Sequence, residues 1–192
     1  MALLRGVNNL GGKAVSMAEL RAVVASLGHA EVLSYIQSGN VLFTPSREAG
    51  GTDSVADPSR LAAEMEQAIA VDLGVRARVV VLSREELARS IQANPFPEQT
   101  NPRLLHAVFL PDPPQTDLGN WLAEAERQVC SHGSPDQVRL IGSTVYLHTP
   151  NGYPDSELRR VLARAGGPTS TQTAGTARNW ATVTKLLQLC ES

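Results

Sequence analysis

Apolar residues recur at helical spacing in Leu20, Val23, Val24 and Leu27, directly after Ser16 and Glu19. Ser followed three residues later by Glu is a capping box, so a helix starts here, and Gly28 can end it. Val32 to Ile36 and Val41 to Thr44 read as strands, and Gln37-Ser38-Gly39-Asn40 between them carries hairpin turn residues. Residues 45–56 hold Gly, Ser and Asp with little apolar content and read as a surface loop. Asp57 and Pro58 then open a second helix, buried through Leu61, Met65, Ala68, Ile69 and Leu73. With Ala2 to Leu4 ahead and Val79 to Leu82 behind, the order is strand, helix, strand, strand, helix, strand. That is the order of a ferredoxin-like plait, over residues 1–83.

Ser83 and Glu86 repeat the capping signal and begin a connecting helix, which Asn94-Pro95-Phe96-Pro97 stops; residues 84–103 are read as connector. The pattern then recurs over 104–192. Leu104 to Leu110 is a strand, and Leu118, Leu122, Ala125 and Val129 stripe a helix. Val138 to Ile141 and Thr144 to Leu147 pair across Gly142-Ser143, and Ser156 to Ala165 is helical. A short last strand within Thr169 to Ala177 and a closing helix from Trp180 complete the chain. The expected fold class is α+β: two ferredoxin-like βαββαβ plaits related by duplication, plus a C-terminal helix. In the first hairpin Leu33 and Tyr35 alternate with Ser34 and Ile36, so neither face is cleanly polar. The expectation is that the second half, or a partner subunit, covers part of that sheet.

Composition narrows the function classes. The chain has 192 residues, 42% of them hydrophobic, and a net charge of −2. That balance argues against a protein that coats nucleic acid or an anionic membrane. No apolar run approaches the roughly 18 residues of a membrane span, and no signal peptide opens the chain. Cys130 and Cys190 stand far apart in apolar helical contexts and read as reduced thiols, so the expected location is the cytoplasm.

Three polar segments attract attention. Arg5-Gly6-Val7-Asn8 runs into Asn9, Gly11, Gly12 and Lys13, where glycine-rich backbone after a strand can approach an anion closely. Val7 and Ala14 stand where a Walker loop needs Gly and Ser or Thr, so the alternative reading is a plain surface turn. The turn Gln37-Ser38-Gly39-Asn40 also has an ordinary hairpin reading. Ser38 lacks a nucleophile elbow and a base at a suggestive spacing. Thr176-Ala177-Arg178-Asn179-Trp180 opens the last helix: Arg178 beside a capping Asn179 makes an anion site, with Trp180 stacking on a ligand or packing in the core. The four histidines show no metal-ligand spacing; a structural role fits His106 and His148. No cofactor and no metal is expected.

Taken together, Leu3-Leu4-Arg5-Gly6-Val7-Asn8, Met17-Ala18-Glu19-Leu20-Arg21 and Tyr35-Ile36-Gln37-Ser38-Gly39-Asn40-Val41 resemble the bacterial family called domain of unknown function 1697. Asn94-Pro95-Phe96, Pro150-Asn151-Gly152-Tyr153 and Thr176-Ala177-Arg178-Asn179-Trp180 resemble its later motifs. The resemblance implies two plait-like α/β subdomains and no established activity. The expected function is binding of a small anionic or nucleotide-like ligand in a cleft between the halves. Arg5 and Arg178 would supply charge there. Asn8, Asn40 and Asn179 would orient it by hydrogen bonds, with Gln37 and Ser38 also in the site, and Tyr35 or Trp180 would stack. Whether the protein is an enzyme stays open, because no base or nucleophile stands out, and a homo-oligomer is allowed. The alternative is a nucleic-acid or protein-interaction module using the plait sheet. Two Trp, three Tyr and three Phe are few for an RNA-binding sheet.

Overall fold

A computed structural model describes residues 1–5, 7, 15–46, 57–164 and 175–191. The chain divides into two units, Met1–Ser83 and Arg84–Ser192. Each holds a four-stranded antiparallel sheet with helices, so the fold is mixed α+β.

In the first unit the order is β1 (Ala2–Arg5), α1 (Met17–Ser26), β2 (Ala30–Tyr35), β3 (Asn40–Thr44), α2 (Pro58–Leu73) and β4 (Arg78–Val81). The sheet runs β2-β3-β1-β4. The capping box forms as read: Ser16 Oγ accepts from Glu19 N, and Glu19 Oε2 accepts from Ser16 N, both at 3.1 Å. Asp57 caps α2 by accepting from Ser59 N at 3.0 Å, with Pro58 in the first turn. Ala2, Leu4, Val41 and Val79 meet Leu20, Val24, Met65 and Ile69 in one core, so α1 and α2 share a face of the sheet. The turn between β2 and β3 begins earlier than the sequence reading placed it. Ile36 is already in the turn at φ 49°, and Gly39 closes it at φ 71°.

The second unit contains α3 (Arg84–Gln92), a 3-10 turn (Pro102–Leu104), β5 (Leu105–Phe109), α4 (Leu118–Ser131), β6 (Gln137–Ile141), β7 (Thr144–His148), α5 (Glu157–Leu162), β8 (Thr176–Asn179) and α6 (Trp180–Cys190). Its sheet runs β6-β7-β5-β8. Leu118, Leu122, Ala125 and Val129 are buried as their spacing requires, against Val108, Val138, Val145, Leu147, Leu158 and Leu162. The opposite face of the sheet meets α3, where Tyr146 Oη donates to Ser90 O at 2.7 Å, and α3 packs on α6. The helix read as a connector is therefore part of the second unit's packing. The last strand also lies later than expected. Arg178 and Asn179 are in β8, paired with Ala107 and His106 of β5, while residues 169–174 of the expected strand lie outside the described residues. Among the described residues, no helix is long and apolar enough to cross a membrane.

Candidate functional site

The first unit assembles four of the expected residues at one corner. Leu3 of β1 pairs with Asn40 of β3, and Leu4 N donates to Gly39 O at 2.7 Å, which sets the hairpin turn beside Arg5. A Cβ on Gly39 would lie 2.5 Å from Val7 Cγ2 and 2.8 Å from Leu4 Cβ, so this close approach needs glycine. Asn40 is fully buried, and its amide donates to Tyr35 O at 3.0 Å and Ser38 Oγ at 2.8 Å. Asn40 thus holds the turn, while Gln37 and Ser38 are exposed at its tip. Arg5 pairs across the sheet with Arg78, whose Nη1 donates to Glu66 Oε2 at 3.0 Å. Asn8 lies outside the described residues.

The second unit places Arg178, Asn179 and Trp180 at the junction of β8 and α6. Arg178 is 8% exposed, and its Nη1 donates to Thr176 Oγ1 at 2.8 Å and Ala177 O at 2.9 Å. Burial draws its pKa down to about 10, which leaves the guanidinium charged at neutral pH. Asn179 caps α6, accepting from Ala181 N at 3.0 Å. Trp180 packs toward Tyr146, ring centroids 6.2 Å apart. Trp180 itself is half-buried. Arg5 and Arg178 belong to different units.

Sequence reasoning gave His106 a structural role and no place beside the site. It sits on β5 opposite Asn179 and stacks on Tyr153, and Arg159 Cζ lies 5.6 Å from the Tyr153 ring centroid. His106 is 8% exposed, and burial pushes its pKa down to about 4, so the ring is neutral at pH 7. Among the described residues its Nδ1 has no hydrogen-bond partner, and neither does the buried Nε of Arg159. The available signal was its place on the Val108 face of β5, a polar residue in a core stripe. His148 behaves as read. Gln99 Nε2 meets its Nε2 at 2.9 Å and Gln137 Oε1 meets its Nδ1 at 3.0 Å, a network that satisfies both nitrogens with the proton on Nδ1. Among the described residues, no group of three or more His, Cys, Asp or Glu is placed to hold a metal ion.

The class these features define is a two-unit α+β protein with buried arginine and histidine at the end of its second sheet. The family model for the protein of unknown function DUF1697 matches residues 1–146, and the chain belongs to that family. Among solved structures, a conserved bacterial protein from Streptococcus pneumoniae is similar at 22% identity. The match covers 97% of this chain and 95% of that one, with a TM-score of 0.65, and shows a shared fold. A comparison with curated proteins finds no match.

Proposed function

We propose that the protein binds a small anionic ligand, such as a phosphorylated or nucleotide-like molecule, with Arg178 as the charge contact. The observation that carries this reading is the buried, charged guanidinium at the start of α6. Bonds from Nη1 to Thr176 and Ala177 fix its plane, and a fixed fork binds phosphate or carboxylate with little ordering cost. The capped N-terminus of the eleven-residue α6 adds a favourable dipole one residue away. Arg5, with Gln37 and Ser38 exposed beside it, offers a second polar corner in the first unit. No reaction is assigned. Two cysteines without a disulfide support a cytoplasmic setting. The matching strand orders support two ferredoxin-like plaits related by duplication.

The test is a thermal-shift and calorimetric screen of the full chain against inorganic phosphate, nucleoside monophosphates, carboxylic acids and short RNA. A small anion should raise the melting temperature by several degrees at 100 times its Kd, and Arg178→Gln should abolish the shift. No shift from any small anion, or an equal shift in Arg178→Gln, overturns the reading. A shift with RNA alone favours the nucleic-acid alternative.

A further inference from the structure

Strand β7 ends at His148, and the chain then turns through Pro150-Asn151-Gly152-Tyr153, a motif that the Arg178 reading does not use. Thr149 anchors the start of this turn, its N and Oγ1 both donating to Leu104 O, at 2.9 and 3.4 Å. Gly152 takes φ 95°, a left-handed backbone that glycine adopts without strain. Asn151 and Pro154 are exposed, and Tyr153 between them is half-buried. The tyrosine ring is therefore carried on a surface turn, beside a glycine.

That ring lies against two polar groups that the fold leaves unsatisfied. One is His106, stacked flat on it, with Nδ1 buried and unbonded. The other is Arg159, within 5.6 Å of the ring centroid, with Nε buried and unbonded. Arg159 Nη2 donates to Pro154 O at 3.1 Å, and among the described residues no carboxylate pairs with this guanidinium. A buried N–H on a permanent cation is costly without an acceptor. Neither nitrogen touches solvent, so nothing reaches them while the ring is in place. Moving Tyr153 aside lifts both costs at once. The stack on His106 favours the closed form and the two unbonded nitrogens oppose it, a balance that a ligand can tip.

The chemistry of the two groups selects that ligand. Arg159 Nε–H only donates, so its partner brings an acceptor, and a guanidinium with no carboxylate beside it favours an anionic one. A neutral His106 donates to the same oxyanion when its proton sits on Nδ1. His106 shares the Val108 face of β5, whereas Arg178 pairs with Ala107 on the opposite face, so this place is distinct from the Arg178 site.

We propose that Tyr153 is a lid over a second anion site, formed by Arg159 and His106, which opens when a carboxylate or phosphate group displaces the ring.

The test titrates inorganic phosphate and acetate into the full chain and follows the Arg159 Nε–H and His106 ring nitrogens by nitrogen-15 NMR. The forms are wild type, Tyr153→Phe, Tyr153→Ala, and Tyr153→Ala with Arg159→Gln. Tyr153→Ala should bind one of the two probes at least about tenfold more tightly than wild type, because a closed lid reduces apparent affinity. Tyr153→Phe keeps the ring and should match wild type, and the double variant should lose the gain. The His106 pKa should rise from about 4 toward 6.5 in Tyr153→Ala. Equal affinity in wild type and Tyr153→Ala overturns the proposal, as does a gain that survives Arg159→Gln. If Tyr153→Ala does not fold, wild type carries the test. At saturating probe its Tyr153 ring signals should move together with Arg159 Nε–H, and a response at Arg178 with Arg159 silent overturns the lid while leaving the earlier reading standing.

Discussion

Tyr153 lies almost flat against His106, ring centroids 3.9 Å apart and planes 19° from parallel. The stack buries an imidazole whose folded pKa, about 4, lies below its unfolded value of 6.5. Between those values the unfolded chain binds the extra proton, so stability rises with pH and is lost as pH falls through the window. This single group should remove about 2 kcal/mol between pH 7 and pH 5. Urea denaturation of wild type and His106→Gln at both pH values checks it: the variant should lack that share of the loss. Equal pH dependence would show that His106 is not the titrating group.

Asp136 is buried at 1% exposure and serves as a second cap for α5. Its Oδ2 accepts from Ser156 Oγ at 2.7 Å and from Leu158 N at 3.2 Å. Asp136→Ala strands two buried donors and should cost about 3 kcal/mol; Asp136→Asn keeps one acceptor and should cost about 1–2 kcal/mol. Chemical denaturation gives the magnitudes. Hydrogen exchange at the Leu158 amide should accelerate in both variants, which ties the loss to this cap.

Gly39 and Gly133 separate backbone strain from crowding. Both have positive φ, 71° and 85°, but a Cβ on Gly133 meets nothing within 4 Å. Gly133→Ala should cost about 1 kcal/mol, the price of left-handed backbone alone. Gly39→Ala adds overlap with Val7 and Leu4 and should cost at least about 2 kcal/mol. Paired thermal melts decide whether the interlock is real.

Ile36 is β-branched, 49% exposed, and held at φ 49°. Asparagine tolerates this conformation better and little apolar burial is at stake. Ile36→Asn should therefore stabilise the chain by about 1 kcal/mol. A lower melting temperature in that variant would mean that the isoleucine makes a contact worth more than its strain.

Local signals were legible where the physics is local. The Ser16–Glu19 capping box, the Asp57–Pro58 helix start and the Leu118–Val129 stripe all depend on residues within a few turns of one another. The end of β8 was hidden because Arg178 and Asn179 read as a helix entry; Asn179 does cap α6, yet the pair also bonds to β5 across more than seventy residues of sequence. His106 had an ordinary strand context, and its orphaned nitrogen depends on where Tyr153 and Arg159 come to rest. Arg139 and Glu66 carry no local signal, because a sheet edge exists only once strand order is known.

Two ion pairs that each tie a helix to the strand after it are also short in sequence. Glu66 and Arg78 lie 12 residues apart, and Glu126 and Arg139 lie 13 apart. Each closes a small loop, so its entropic cost is low and it can form before strands distant in sequence have met.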